Sequence, residues 1–326
     1  MLTDNHGRDI NYLRLAVTDR CNLRCSYCMP AEGIRFLPRR ELLSDGELLC
    51  LVDILSQAGI TKLRITGGEP FVRPGLMDLL ESLVALPHLD TVSITTNATL
   101  IGPHIARLQR AGIRQLNVSL DALDAERFGK ITRRDCFATV YANLVQLIEA
   151  GFRVKINCIV LDRQNTDQIV PLVELTRRWP VSVRFLEEMP FNGSGPPQAG
   201  PLHWNHHRIY DHIARHFPAL QSLTSEATST AQNYRVPGYR GTVGIIAAFS
   251  RTFCGSCSRL RVSARGELRT CLYAKNELSF RTALRAANPE RAVNQLLHQA
   301  LNRRFANGHN AEQNHNHYTS MTSIGG

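Results

Sequence analysis

Residues 12–30 read YLRLAVTDRCNLRCSYCMP, in which an alternating apolar stretch runs directly into three closely spaced cysteines. Leu13, Leu15 and Val17 alternate with other residues, which is the pattern of a β-strand with one buried face. The cysteines follow in the loop after this strand, at the end where α/β folds bind their ligands. They are Cys21, Cys25 and Cys28. The stretch therefore predicts a strand that delivers three thiols to a ligand-binding edge.

Further strand-like runs alternate with helical segments over the first two thirds of the chain. Five more strands are predicted at 62–66, 91–97, 115–121, 153–160 and 182–188. Helices are predicted between them at 44–59, 75–86, 102–112, 136–151 and 167–179. Six strands separated by helices predict a parallel sheet with right-handed crossovers.

Each of these strands has one apolar face and one polar face. A parallel sheet covered by helices on both sides would read as nearly continuous Val, Ile and Leu. A closed eight-stranded barrel would fill its lumen with branched apolar side chains. The alternation instead predicts helices on one side only and a wide polar lumen on the other. The predicted fold class is α/β, an incomplete (β/α)6 TIM-type barrel.

The polar strand faces carry more basic than acidic side chains. The basic residues are Arg14, Lys62, Arg64, Arg153, Lys155 and Arg184, against Asp121 and Glu188. Buried like charges are costly unless they are paired, so this set predicts an anionic ligand in the lumen. The alternative is that some of these residues lie near strand ends, where they are solvated or paired locally.

The net charge of the chain also favours an anionic partner. The 326-residue chain has a formal net charge of +10, which favours nucleic acid, a membrane surface or a phosphorylated small molecule as partner. No block of five like charges and no run of about 18 apolar residues occurs, so neither nucleic-acid nor membrane binding is predicted. The first residues lack the pattern of a signal peptide, which predicts a cytoplasmic protein with reduced cysteines.

Three cysteines without a nearby fourth ligand favour an iron–sulfur cluster. Zinc normally takes four protein ligands at a structural site, and the next cysteine, Cys50, falls on the apolar side of a predicted helix. A 4Fe–4S cluster tolerates three thiolates, which leaves one iron free for another ligand. We therefore predict a cluster at the first trio, Cys21, Cys25 and Cys28.

A second trio lies near the C-terminus. It consists of Cys254, Cys257 and Cys271. A second cluster and a zinc site with a histidine as fourth ligand both remain open from the spacing. The candidate histidines are His203, His206, His207, His309, His315 and His317. Arg259 and Arg261 follow directly; on a strand they share a face and could bind one phosphate, or form a solvated hairpin face.

The motifs together resemble a known family. RLAVTDRCNLRCSYCMP is similar to the cysteine motif of radical S-adenosylmethionine (SAM) enzymes. The chain as a whole resembles the GTP 3′,8-cyclases of molybdenum cofactor biosynthesis. The motifs that carry this resemblance are GGEP, TTN, NVSLDA, the second trio, the Arg-x-Arg pair Arg259 and Arg261, and the Gly325-Gly326 end. The resemblance implies two 4Fe–4S clusters, SAM, GTP as substrate, an external electron donor, and a downstream cyclic pyranopterin monophosphate synthase. It also implies a radical SAM partial barrel over 1–217 and an auxiliary cluster and GTP-binding region over 218–326.

The resemblance assigns site residues position by position. The implied GTP contacts are Arg14, Lys62, Arg64, Thr95, Lys155, Arg259, Leu260 and Arg261. The implied SAM contacts are Tyr27, Gly68, Ser119, Arg184 and Met189. Arg14, Arg259 and Arg261 are the predicted catalytic residues. The family's Gly-Gly end reaches into the active site.

Three departures and several alternatives accompany the resemblance. Ala98 stands where the family usually has glycine, Ser258 replaces a common asparagine, and HNAEQNHNH (309–317) lacks an expected Lys-Pro. A monomer and a homodimer are both compatible with the sequence. The rival functions are a radical SAM enzyme that modifies peptides and a zinc-containing nucleic-acid-binding protein.

Overall fold

The fold is taken from a computed structural model, which describes residues 2–189, 202–224, 228–274, 278–313 and 320–323. The six predicted strands are present and hydrogen-bond in parallel, in chain order. They are β1 (Tyr12–Ala16), β2 (Lys62–Thr66), β3 (Thr91–Thr96), β4 (Gln115–Ser119), β5 (Arg153–Val160) and β6 (Ser182–Glu187). The predicted incomplete barrel is therefore confirmed.

Helices connect consecutive strands of this barrel. They are α1 (Asp45–Gln57), α2 (Leu76–Val84), α3 (Ile105–Arg110), α4 (Ala125–Thr132), α5 (Phe137–Glu149) and α6 (Ile169–Arg178). A capping box between Ser44 and Glu47 starts α1. The prediction missed α4, which buries few apolar side chains and is started by the Asp124 side chain accepting from the Arg127 amide.

The C-terminal part extends the same sheet at both edges. Its elements are α7 (His206–His216), β7 (Gln221–Leu223), β8 (Ala231–Arg235), β9 (Thr242–Ile246), β10 (Arg259–Val262), β11 (Glu267–Arg269), β12 (Leu278–Ser279), α8 (Phe280–Leu284), α9 (Pro289–Leu301) and α10 (Gly308–Gln313). Strand β9 pairs in parallel with β6, and β10 pairs in parallel with β1. Both edges of the barrel are thereby covered by hairpins. The division of the chain at residue 217 stays a prediction.

The core lies on the helix-facing side of the sheet. Leu13, Leu63 and Leu116 have no exposed surface and belong to one apolar cluster with the inner faces of α1, α2, α5 and α6. The opposite strand faces carry the polar side chains and line the lumen. Arg153 is the exception among the predicted lumen cations, because it is exposed at the start of β5. No helix of the described residues is long and apolar enough to cross a membrane.

Candidate active site

The loop of the first trio packs directly on the GGEP turn, residues 67–70. A Cβ on Gly67 would overlap the Thr18 carbonyl oxygen, and a Cβ on Gly68 would overlap that of Arg20. The amide of Gly68 donates to the Thr18 carbonyl at 2.9 Å, and the amide of Glu69 donates to the Arg20 carbonyl at 2.8 Å. Glycine is required at both positions because the two backbones approach this closely.

Glu69 joins the GGEP turn to the TTN turn that ends β3. Its buried carboxylate accepts from the amides of Phe71 at 3.1 Å and Asn97 at 2.7 Å and from the Thr96 hydroxyl at 2.8 Å. Burial raises the pKa of Glu69 to about 7. The side-chain Nδ2 of Asn97 lies 3.8 Å from the sulfur of Cys21, so the network reaches the first trio.

Ala98, directly after the TTN turn, has a φ of +59°. This left-handed conformation favours glycine, which is the residue the resemblance led us to expect there. The Ala98 amide donates to the Thr96 hydroxyl at 3.0 Å, and its carbonyl accepts from the Asn143 side chain at 2.7 Å. These bonds hold the conformation with alanine present.

The first trio lines a cavity of about 660 Å³. Three of the predicted SAM contacts, Tyr27, Gly68 and Ser119, lie on its wall, as does Thr95. The Tyr27 hydroxyl donates to Asp121 at 2.8 Å, and burial raises the pKa of Asp121 to about 6. The prediction treated Asp121 only as a lumen charge; its pairing with Tyr27 depends on the packing of two distant segments.

The C-terminal segment returns to this cavity. The Ser320 hydroxyl donates to the Cys28 carbonyl at 2.8 Å, and Met321 and Thr322 line the cavity wall. Gly325 and Gly326, for which an active-site position was predicted, lie outside the described residues.

The second trio lines a cavity of about 1030 Å³. Cys254 begins a short 3-10 turn, and Cys257 ends it two residues before β10. Cys271 follows β11, which runs antiparallel to β10, so it returns to the same end of that strand. Because β10 pairs in parallel with β1, the second trio lies at the amino end of β1 and the first trio at its carboxyl end. The five residues of β1 span about 16 Å between these two ends.

Basic side chains line the lumen beside the second trio. Arg14, Arg64, Arg184 and Arg259 line both the cavity of the second trio and an adjoining polar cavity of about 1050 Å³, which also contains Lys62, Lys155, Tyr12 and Ser258. Arg261 lines the former. Leu260 lies between the two arginines of β10, has no exposed surface and packs in the core.

Two of these cations, Arg14 and Arg184, each have a buried nitrogen that no protein acceptor reaches. The Nε atoms of Arg14 and Arg184 are buried without a hydrogen-bond partner. Burial, and next the charge of Arg261, lower the pKa of Arg14 well below its usual range. Burial and Arg64 lower the pKa of Arg184 to about 10. An anion placed among these groups would supply the missing acceptors and offset their repulsion. The site therefore fits a phosphorylated ligand.

A zinc site is the alternative that the spacing of the second trio left open. Within the described part of the chain, no three His, Cys, Asp or Glu side chains are grouped so that they could hold one metal ion. A zinc ion needs its ligands around a single centre, whereas a 4Fe–4S cluster takes each thiolate on a different iron. Of the histidines considered for zinc, His309 bonds to Arg251 at 3.0 Å. His315 and His317 lie outside the described residues.

Family models match two consecutive parts of the chain. The Radical SAM superfamily matches residues 15–176, and Molybdenum Cofactor Synthesis C matches residues 181–310. The structure resembles Streptococcus suis SuiB, with a TM-score of 0.64 at 14% identity over 91% of this chain and 67% of that chain. SuiB bound to S-adenosylmethionine gives a TM-score of 0.59 at 15% identity, over 86% of this chain and 62% of that one. These likenesses confirm the radical SAM fold.

Relatives of higher identity define the group more narrowly. The GTP 3′,8-cyclase of Moorella thermoacetica is 37% identical over 100% of both chains. Molybdenum cofactor biosynthesis protein 1 of Drosophila melanogaster is 41% identical over 87% of this chain and 50% of that protein. The bovine protein of that name is 39% identical over 93% of this chain and 48% of its own length, so the chain spans about half of these animal relatives. The chain belongs to the GTP 3′,8-cyclase family.

Proposed function

We propose that this chain converts GTP to 3′,8-cyclo-7,8-dihydro-GTP, the first step of molybdenum cofactor biosynthesis, with SAM and two 4Fe–4S clusters. One observation carries the proposal. Two cysteine trios lie at opposite ends of β1, a strand about 16 Å long, and the lumen contains Arg14 and Arg184, whose Nε atoms are buried without a hydrogen-bond partner. Such a lumen suits a long anionic substrate that reaches from one site to the other.

In this proposal the first trio and the walls around it form the SAM site. Cys21, Cys25 and Cys28 hold the first cluster, which together with SAM supplies the oxidant for hydrogen abstraction from the ribose. Tyr27 and Gly68 line the same cavity, and Asp121 fixes the tyrosine hydroxyl at 2.8 Å. The further SAM contacts that we propose are Ser119, Arg184 and Met189. Arg184 and Met189 line the neighbouring cavity of the second trio.

The second trio and the lumen cations form the GTP site. Cys254, Cys257 and Cys271 would hold the second cluster, which would bind the guanine. The residues that we propose to bind GTP are Arg14, Lys62, Arg64, Thr95, Lys155, Arg259, Leu260 and Arg261. Leu260 can contribute only its backbone, because its side chain packs in the core. Fixing both ends of the nucleotide would place C3′ toward the first site and reduce the entropic cost of the reaction.

Arg14, Arg259 and Arg261 are the proposed catalytic residues. Arg14 lies directly opposite Arg261 in the register between β1 and β10. The three guanidiniums hold positive charge beside the reacting nucleotide. This charge can favour the transfer of an electron to the nucleotide late in the reaction. An anionic nucleotide beside these guanidiniums would favour their protonated form, so their contribution would be electrostatic.

An external electron donor and a downstream cyclic pyranopterin monophosphate synthase complete the proposed scheme. We also propose a cytoplasmic location. The division into a partial barrel over 1–217 and a second-cluster and GTP-binding region over 218–326 belongs to the same proposal.

Anaerobic reconstitution tests the proposed function. We expect about eight irons per chain, four for each cluster, together with sulfide. Incubation with SAM, reductant and GTP should then yield 5′-deoxyadenosine and the cyclised nucleotide. Binding of about four irons or fewer after full reconstitution would refute the two-cluster proposal. Failure to form 5′-deoxyadenosine with GTP present would refute the reaction.

A further inference from the structure

A buried arginine contacts a cysteine of the second trio. Arg304 follows α9 and is 3% exposed. Its Nη2 donates to the sulfur of Cys257 at 3.2 Å and to the Arg259 carbonyl at 3.1 Å, and its Nε donates to the Thr270 carbonyl at 3.1 Å. One guanidinium thus contacts both cysteine-bearing segments of the second trio.

The N-terminal turn supplies the rest of this arrangement. The Asp4 carboxylate pairs with Arg304 at 3.0 Å and with Arg8 at 2.7 Å. Arg8 in turn donates to the Cys254 carbonyl at 3.1 Å and to the Phe305 carbonyl at 2.8 Å. Two guanidinium charges face one carboxylate, so this buried group carries a net positive charge beside the thiols.

We propose that Arg304 sets the reduction potential of the second cluster by withdrawing electron density from the Cys257 thiolate. This inference rests on the proposed presence of that cluster. Hydrogen bonds to the sulfurs and nearby charge are the main means by which proteins adjust such potentials. A cation at 3.2 Å favours the reduced, more negative form and so raises the potential. Because Arg304 is buried, salt screens its charge only weakly.

The same withdrawal of charge affects substrate binding. A thiolate that donates less electron density to its cluster leaves the open iron a stronger Lewis acid. The guanine of GTP, as the proposed ligand of that iron, would then be held more tightly. Arg304 acts through Cys257 and is therefore a positioning residue rather than a catalytic one.

A purely structural role would give a different result. Arg304 also braces the Thr270 carbonyl and Asp4, so its loss could loosen the fold without any electronic effect on the cluster. The reduction potential separates the two roles, because it is measured on protein that has already folded and bound iron.

The experiment begins from a full-length variant in which Cys21, Cys25 and Cys28 are all alanine. About four irons per chain should remain, since only the second trio can bind a cluster. Failure at this step would refute the second cluster itself. With iron bound, an EPR-monitored redox titration gives the potential of the second cluster alone.

Arg304→Gln should shift this potential to more negative values, and Arg304→Lys, which keeps the charge but not the planar donor, should shift it less. Arg303→Gln is the matched control, because Arg303 is the neighbouring arginine and is exposed. An unchanged potential in iron-loaded Arg304→Gln, or an equal shift in Arg303→Gln, would overturn the proposal.

Asp4→Asn provides a test of opposite sign. Loss of the carboxylate leaves the Arg304 charge uncompensated, so the potential should rise. If Arg304→Gln fails to bind iron, Arg304→Lys and Asp4→Asn decide between the electrostatic and the purely structural role of Arg304. The absence of an upward shift in Asp4→Asn would then refute an electrostatic role for Arg304.

Discussion

Replacement of Glu69 in the GGEP turn gives the sharpest test of how the first trio is held. Glu69→Ala removes the acceptor of two amides and one hydroxyl, from Phe71, Asn97 and Thr96, in a fully buried position. Each buried donor left without an acceptor costs about 1–3 kcal/mol. Because the three donors are neighbours and can relax together, we expect a total loss of roughly 3–6 kcal/mol in the free energy of unfolding.

Glu69→Gln separates the hydrogen bonds from the charge. The folded pKa of about 7 lies above the ordinary glutamate pKa of 4.5, so the folded state binds the proton more tightly than the unfolded state. Protonated Glu69 therefore stabilises the folded state. This stabilisation is fully present below about pH 4.5 and is lost as pH rises through about 7. The difference between these two pKa values corresponds to about 3 kcal/mol. Glutamine cannot ionise, and we expect its variant to lose this pH dependence.

Urea denaturation of the metal-free, reduced protein between pH 5 and 8 provides the measurement, with iron content after reconstitution as a second readout. Glu69→Ala should unfold at lower urea concentration and bind less iron at the first trio. An unfolding midpoint equal to that of the unchanged protein would refute the hydrogen-bond reasoning. A Glu69→Gln variant with the original pH slope would show that another group titrates in this window.

Three further substitutions test the two ends of the lumen and the space between them. Cys271→Ala should keep about four irons and SAM binding but abolish GTP conversion, and retained conversion would contradict the proposed role of the second trio. Arg14→Gln should weaken GTP binding about tenfold or more, measured by calorimetry, through loss of a charged hydrogen bond. The exposed Arg153→Gln is its control, and equal weakening in both would argue against a specific contact. Gly68→Ala should lose the iron of the first trio because its methyl group would overlap the Arg20 carbonyl. Gly255→Ala, with open space around the added methyl, should keep all the iron, and full iron binding in both variants would rule out the steric explanation.

The barrel could be predicted because its signal is local. Alternation along β1 and β2 identifies both faces of each strand, and the cysteine spacing marks the end at which ligands bind. The lumen cations followed from the same alternation. Arg153 was wrongly assigned because alternation gives the face of a residue but not its distance from the strand end.

The surroundings of the second trio could not be predicted, because they depend on distant pairings. Nothing in the sequence around Asp4 indicates that it meets Arg304, 300 positions later. The extension of the sheet by β9 and β10 was missed for a similar reason. A hairpin, such as the one considered for Arg259 and Arg261, does not reveal from its sequence which outer strand it will join.

The contact between Asp4 and Arg304 also has a consequence for biosynthesis. The GGEP and TTN turns can pack on the first trio when little more than the opening third of the polypeptide has left the ribosome. The second trio becomes enclosed later, because Arg304, which contacts Cys257, is translated near the end of the chain. We therefore expect the thiols of the second trio to stay open to oxidative damage until synthesis of the chain is nearly complete.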